Sequence, residues 1–363
     1  MAWVKILLLF NSFKGTYSSR EINEYLYRYL LKKGFNARYI NISDGGDGFL
    51  DCFIDDCNVC RKKVTGPFYN RKVSSNYCLK NNESFIEISL ICGIRYLEKE
   101  ELSPLTATTY GVGEVIRDCV LKGAKNIYVG LGGTASSDGG FGMARALGAR
   151  FLDKYGREID NNLYGLLKLF RIDFKNFINL SAIKVWGISD VKNKLLGRKG
   201  SARIFGPQKG AQSKDIEVIE KALYKLKNVL EKQTGKDISV IEGGGAAGGL
   251  GSGLYGFLNA GLINGSDFII SRFDIKNEIK KSDLIISGEG KFDKSSFYGK
   301  ITGEIINIAT VFKKRVIFVS VYNEIKRKID GVESIILSQN YSETETKKNL
   351  KKIIAYEIYN RLK

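Results

Sequence analysis

The chain of 363 residues is long enough for two domains, and it carries a formal charge of +18 from 57 Lys and Arg against 39 Asp and Glu. Hydrophobic residues make up 44% and charged residues 26%, the balance of a globular protein, and no run approaches the roughly 18 apolar residues of a membrane span. Histidine is absent, which excludes imidazole base chemistry, and the lysine excess lies along solvated faces without the basic block and interleaved aromatics that single-stranded nucleic acid favours.

In chain order, a buried strand is expected over 4–10. Its I-L-L-L-F run is too short for a signal-peptide core and has no small-residue cleavage site after it, so a cytoplasmic protein is expected. N-S-F-K-G (11–15) follows, with Asn11 and Ser12 at the strand end and Lys14 placed to neutralise phosphate or carboxylate charge. It is not the P-loop pattern. Ser18 and Glu21 form a capping-box pattern for a helix over 19–33, which Gly34 can end. A strand over 37–42 leads to S-D-G-G-D-G (43–48). There Asp44, Gly45, Gly46 and Asp47 form either a tight turn or a loop that binds substrate hydroxyls or a metal.

The six cysteines include one C-x-x-C pair, Cys57 and Cys60, with no second pair at zinc-finger spacing. A four-cysteine site with Cys52 and Cys78 is the alternative to reduced, mostly buried thiols, which are expected. A helix near 113–122 and a strand over 127–131 precede G-L-G-G-T-A-S-S-D-G-G (130–140). Gly132, Gly133 and Thr134 offer backbone and hydroxyl donors there, and Asp138 a carboxylate. A helix near 140–148 follows. After a strand over 183–188, Asp190 is a base for a substrate hydroxyl, a magnesium ligand or a helix cap.

G-P-Q-K-G-A (206–211) brings Gln208 and Lys209 to the start of a helix over 212–232. The glycine run at 243–253 is either a close helix contact or a phosphate cradle. A strand over 283–287 runs into G-E-G-K-F-D (288–293), with Glu289, Lys291 and Asp293. A helix over 301–312, a strand over 316–320 and a helix over 346–361 complete the chain. Strands alternating with helices predict a mostly parallel α/β sheet with covered faces. The ends form one discontinuous, doubly wound domain, 1–65 plus 283–363, and a second α/β domain, 66–282, is inserted, with a cleft between the two. Glycine loops with carboxylates and lysines, and no imidazole, suit phosphate handling better than acyl transfer.

Taken in order, N-S-F-K-G, S-D-G-G-D-G, T-T-Y-G-V-G-E (108–114), G-G-T-A-S-S-D-G-G (132–140), F-G-P-Q-K-G-A (205–211), G-G-G-A-A-G-G-L-G (243–251) and G-E-G-K-F-D resemble the bacterial glycerate kinase family, type I. The resemblance spans residues 4 to about 310. It implies two unequal α/β domains, one flavodoxin-like, and ATP-dependent phosphorylation of D-glycerate with magnesium, giving 2-phosphoglycerate. Asp190, Lys14 and Asp138 are the expected catalytic residues; with no histidine in the chain, Asp190, at a strand end in a segment poor in glycine, is the expected base, ahead of Asp44 and Asp138.

Asn11, Ser12, Asp44, Gly45, Gly46, Asp47, Gly132, Gly133, Thr134, Gln208, Lys209, Glu289 and Lys291 are expected to bind glycerate or the nucleotide, and Asp293 with Asp138 the magnesium. The chain departs from the family pattern at Asn11, usually Asp, at Lys291, usually Arg, and at Ser295, usually Gln. Those departures leave open a kinase for another small hydroxy acid, and a sensor that binds without turnover is the reading from another class.

Overall fold

The computed structural model describes residues 4–13, 15–297, 299–325 and 329–363. In chain order its strands are β1 Lys5–Phe10, β2 Asn36–Tyr39, β3 Asn58–Thr65, β4 Lys72–Lys80, β5 Glu83–Glu87, β6 Asn126–Gly130, β7 Arg150–Leu152, β8 Arg171–Asp173, β9 Lys184–Ile188, β10 Gly261–Ile263, β11 Leu284–Phe292, β12 Arg315–Asn323 and β13 Val332–Ile336. The chain divides into two compact units, Met1–Cys52 with Asn264–Lys363, and Phe53–Ile263. The boundaries thus lie at 52/53 and 263/264 rather than at 65/66 and 282/283. Pairing explains the difference. β3 is antiparallel to β4 and joins the second unit's sheet, while the helices Gly265–Arg272 and Ile275–Lys281 pack on the helix Ile301–Val311 of the first unit.

The first unit holds a five-stranded sheet in the order β13-β12-β11-β1-β2, every pair parallel. Counted within the unit this is the order 2-1-3-4-5 of flavodoxin-like sheets. Its central strands read as unbroken apolar runs because both faces are covered. Ile6, Leu8 and Phe10 meet Ile22, Leu26 and Leu30 of the helix Ser19–Lys32, with Ile354 and Ile358 of the helix Glu343–Leu362, in one core. The helices Ile275–Lys281 and Ile301–Val311 also pack on these strands. Ser18 and Glu21 close the expected capping box.

The second unit is built on a six-stranded sheet, β10-β9-β6-β5-β4-β3, with the first four strands parallel and the last two antiparallel. β7 and β8 form a separate antiparallel pair. One apolar core runs from Val64 through Ile127 and Val129 to Leu226 and Leu254. Cys57, just before β3, lies two residues from Val59, the partner of Cys78 in β4, and the two cysteines are joined as a disulfide with Cα atoms 5.6 Å apart. That departs from the expectation that all six thiols are reduced; Cys52, Cys60, Cys92 and Cys119 are not joined in disulfides. Among the described residues no helix is long and apolar enough to cross a membrane.

Candidate active site

In a parallel sheet with this strand order, ligands collect beyond the carboxyl ends where the winding reverses, here between β1 and β11. β11 stays in register with β1 only as far as Gly288, opposite Phe10, but pairs with β12 through Phe292. Residues 289–292 therefore overhang β1 as strand, where the sequence alone predicts a loop. Beneath the overhang lies a cavity of about 360 Å³, lined by Asn11, Ser12, Asp44, Glu289, Lys291 and Asp293 among others. Six of the residues singled out in the sequence meet there.

Asp44 ties the floor together. Its Oδ2 accepts from Asn11 Nδ2 at 3.0 Å, and its Oδ1 from the Ile301 N–H at 2.9 Å, at the start of the helix Ile301–Val311. The Ser12 N–H donates to Asn11 Oδ1 at 2.8 Å, fixing the amide's orientation. Glu289 is 7% exposed and accepts from Thr302 Oγ1 at 2.8 Å. Burial pushes its carboxyl above the usual range; donors from Ser296 and Thr302 and the Lys300 charge pull the other way, and Asp44 adds to the push. Lys291 pairs with Glu324 at 2.7 Å and lies 3.8 Å from Asp293.

Gly290 lines the same cavity, and a Cβ built there would meet nothing closer than Phe13 at 3.8 Å. Its backbone lies outside the left-handed region. Neither packing nor φ demands glycine, so the missing side chain leaves room in the cavity.

The acid of the second unit behaves differently. Asp138 is 3% exposed and accepts from the Thr109 N–H at 2.9 Å, the Thr109 hydroxyl at 3.0 Å, the Gly140 N–H at 3.1 Å and the Gly142 N–H at 3.0 Å. Buried and reached by four donors, Asp138 fastens the loop to the helix Phe141–Ala146, and it does not line the cavity that Asp44 and Asp293 share. Burial raises its carboxyl and those donors oppose the rise.

Thr134 is likewise internal, bonded to the Ser136 hydroxyl at 2.9 Å and to the Cys92 carbonyl at 3.3 Å. Lys209 is 2% exposed and donates to the Ser136 carbonyl. Burial lowers its ammonium to about 8. Both side chains are thus engaged within the loop. The glycine run takes the close-contact reading. A Cβ on Gly248 would lie 2.1 Å from the Ser136 carbonyl oxygen, and one on Gly253 2.3 Å from that of Gly139.

Of the remaining expected residues, Lys14 lies outside the described residues. Gly132 and Gly133 stand at the start of their loop with at least part of their surface open, and Gln208 is exposed. Gly45 is buried, Gly46 is half-buried and Asp47 is exposed, away from the cavity that Asp44 lines. Asp190 is half-buried just past the carboxyl end of β9. Thr302 and Thr346, and the buried Glu87 at the end of β5, were not singled out in the sequence, since a lone Thr or Glu carries no local signal; Thr109 lies in T-T-Y-G-V-G-E but was given no role of its own. A second hollow, of about 480 Å³, holds Arg145 and Arg150, both already bound to Glu158.

Comparison with known proteins gives a consistent result. The family model described as the glycerate kinase family matches residues 6–360. The glycerate 2-kinase of Escherichia coli K12 is 32% identical over 353 residues, 92% of this chain and 91% of that one. The glycerate kinase of Halalkalibacterium halodurans is 36% identical over 282 residues, 74% of each chain. A crystal structure from Salmonella typhimurium LT2, assigned as glycerate kinase 2, superposes with a TM-score of 0.82 at 30% identity, covering 99% of this chain and 98% of that one.

Proposed function

Because this chain belongs to the glycerate kinase family, it is a glycerate kinase, and we propose that it moves the γ-phosphoryl group of ATP to the 2-hydroxyl of D-glycerate, giving 2-phosphoglycerate. The observation that carries the site is the space left at Gly290, over a cavity lined by both carboxylates and lysines at the reversal point of a parallel sheet. Phosphoryl transfer asks for positioning and charge neutralisation more than for covalent chemistry. Lys300 and Lys291 supply positive charge to the cavity, and Asn11 and Ser12 supply polar groups that orient what enters.

Asp44 and Asp293 are hard oxygen donors, and among the described residues no group of three His, Cys, Asp or Glu side chains could hold a metal by itself. That donor set fits a magnesium ion that takes most of its ligands from phosphate oxygens and water. Bound there, the ion would offset the negative charge of the transferring group. The proton of the attacking hydroxyl goes to a carboxylate, for which Asp190 is proposed, half-buried at a strand end in a segment poor in glycine. A cytoplasmic location accords with an ATP donor.

Purified protein given D-glycerate, ATP and magnesium should release ADP, with the product resolved as 2-phosphoglycerate by NMR. ADP release no greater than in a glycerate-free control would overturn the donor and acceptor together, and a 3-phosphate product would overturn the regiochemistry alone. A second reading, another small hydroxy acid as acceptor, rests on Asn11, whose amide binds Asp44 where the family usually carries a carboxylate. A panel of hydroxy acids decides between them by kcat/KM.

A further inference from the structure

The lining of the first unit's cavity divides by face. Glu289 is opposite Ser320 in register, so Val321 stands opposite Gly290. Successive strand residues point to opposite faces, and Glu289 and Val321 therefore leave the sheet on opposite sides. Val321 packs with Phe13 and Leu350 under the helix Glu343–Leu362. Glu289 keeps company with Asp44 and Lys300 at the start of the helix Ile301–Val311. The cavity thus wraps over the carboxyl edge of the sheet with one apolar side and one charged side.

Thr346 belongs to the apolar side. It is 3% exposed and lines the cavity, and its hydroxyl is buried with no hydrogen-bond partner among the described residues. Buried hydroxyls are ordinarily bonded, and leaving one unpaired is unfavourable. Glycerate is polar throughout and matches only the charged side. A ligand that fills both sides needs a flat apolar part with polar atoms on its rim, joined to an anionic part.

We propose that this cavity is the nucleotide site: the adenine base lies against Phe13, Val321 and Leu350 with its edge hydrogen-bonded to the Thr346 hydroxyl, and the phosphates extend past Gly290 toward Lys300. The assignment rests on the reading of the chain as an ATP-using glycerate kinase and makes Thr346 a determinant of donor specificity.

Steady-state kinetics on Thr346→Val and Thr346→Ser, with ATP and GTP as donors, test it. Losing one hydrogen bond should raise the KM for ATP about 5- to 10-fold in Thr346→Val, narrow the preference for ATP over GTP, and leave the KM for D-glycerate unmoved, while Thr346→Ser behaves as the parent. Without nucleotide, Thr346→Val should melt no lower than the parent, since it removes an unpaired hydroxyl. A raised KM for glycerate with that for ATP unchanged would make the cavity the acceptor site and overturn the proposal. An unchanged KM for ATP, or a lower melting temperature without ligand, would overturn it too. If the parent itself releases no ADP with D-glycerate, the proposed reaction falls; isothermal titration of ADP into the same two variants then still reads whether Thr346 touches a nucleotide.

Discussion

Two aspartates stand in nearly the same sequence setting and do different things. Asp44, in S-D-G-G-D-G, is half-buried, takes two donors and lines a cavity. Asp138, in S-S-D-G-G, is sealed, with four donors. A glycine near each, Gly142 after Asp138 and Gly290 on the cavity that Asp44 lines, differs in the same sense. A Cβ on Gly142 would lie 2.2 Å from Thr108 Oγ1, whereas one on Gly290 would have clearance. An acid among glycines is therefore ambiguous by itself; how many donors reach it, and whether its glycines are crowded, decides between anchor and ligand contact.

The sharpest way to break this contrast is Asp138→Ala. It strands the Thr109, Gly140 and Gly142 N–H groups, and at about 1–3 kcal/mol for each unpaired group the variant should lose roughly 3 kcal/mol or more in urea unfolding. A loss below about 1 kcal/mol together with abolished activity would turn Asp138 into a ligand residue. Next in size, Asp190→Asn should lower kcat by roughly 10²-fold, the scale of a missing general base, with ADP binding by calorimetry retained. Normal kcat would move the base elsewhere, and lost ADP binding would make Asp190 a magnesium ligand.

Gly290→Ala sharpens the other half of the comparison. The methyl enters the cavity without a clash, so the melting temperature should hold while kcat/KM drops about 10-fold, as a misplaced substrate implies. A fall in melting temperature with unchanged kinetics would make Gly290 a packing glycine. The smallest effect concerns Lys209. Its ammonium is held down to about 8 by burial, so above that pH the unfolded chain binds more protons than the native one, and native stability rises with pH. Relative to Lys209→Met, the parent should gain about 1 kcal/mol between pH 8 and 9, with no such gain below. Parallel curves for the two proteins would place the titration elsewhere.

Much of the fold was legible because its signals are local. The apolar runs of β1 and β12, the capping box at Ser18 and the long helix Ser213–Thr234 follow from spacing and composition. β3 was not legible: N-V-C-R-K-K-V-T is exposed along much of its length and holds its place through partners in β4. The far end of β11 was misread as loop because its strand character comes from β12, about 30 residues away. Within the site, Asp44, Glu289 and Asp293 could be found because glycine marks them. The sealing of Asp138 by Thr109, and the unpaired hydroxyl of Thr346, depend on contacts that no local window contains.

The first unit's sheet also has a consequence for how the protein is made. β1 takes its places between β2 and β11, and its register couples Ile6 to Leu284. At ribosomal speeds of about 5–20 residues per second, the I-L-L-L-F strand emerges on the order of 15–55 s before its β11 partner exists. The second unit is one uninterrupted stretch, Phe53–Ile263, and can close during that interval. For that time an apolar strand with an unsatisfied edge hangs from the nascent chain, which is the kind of segment that holdase chaperones bind and that pairs wrongly with neighbouring chains on a crowded polysome.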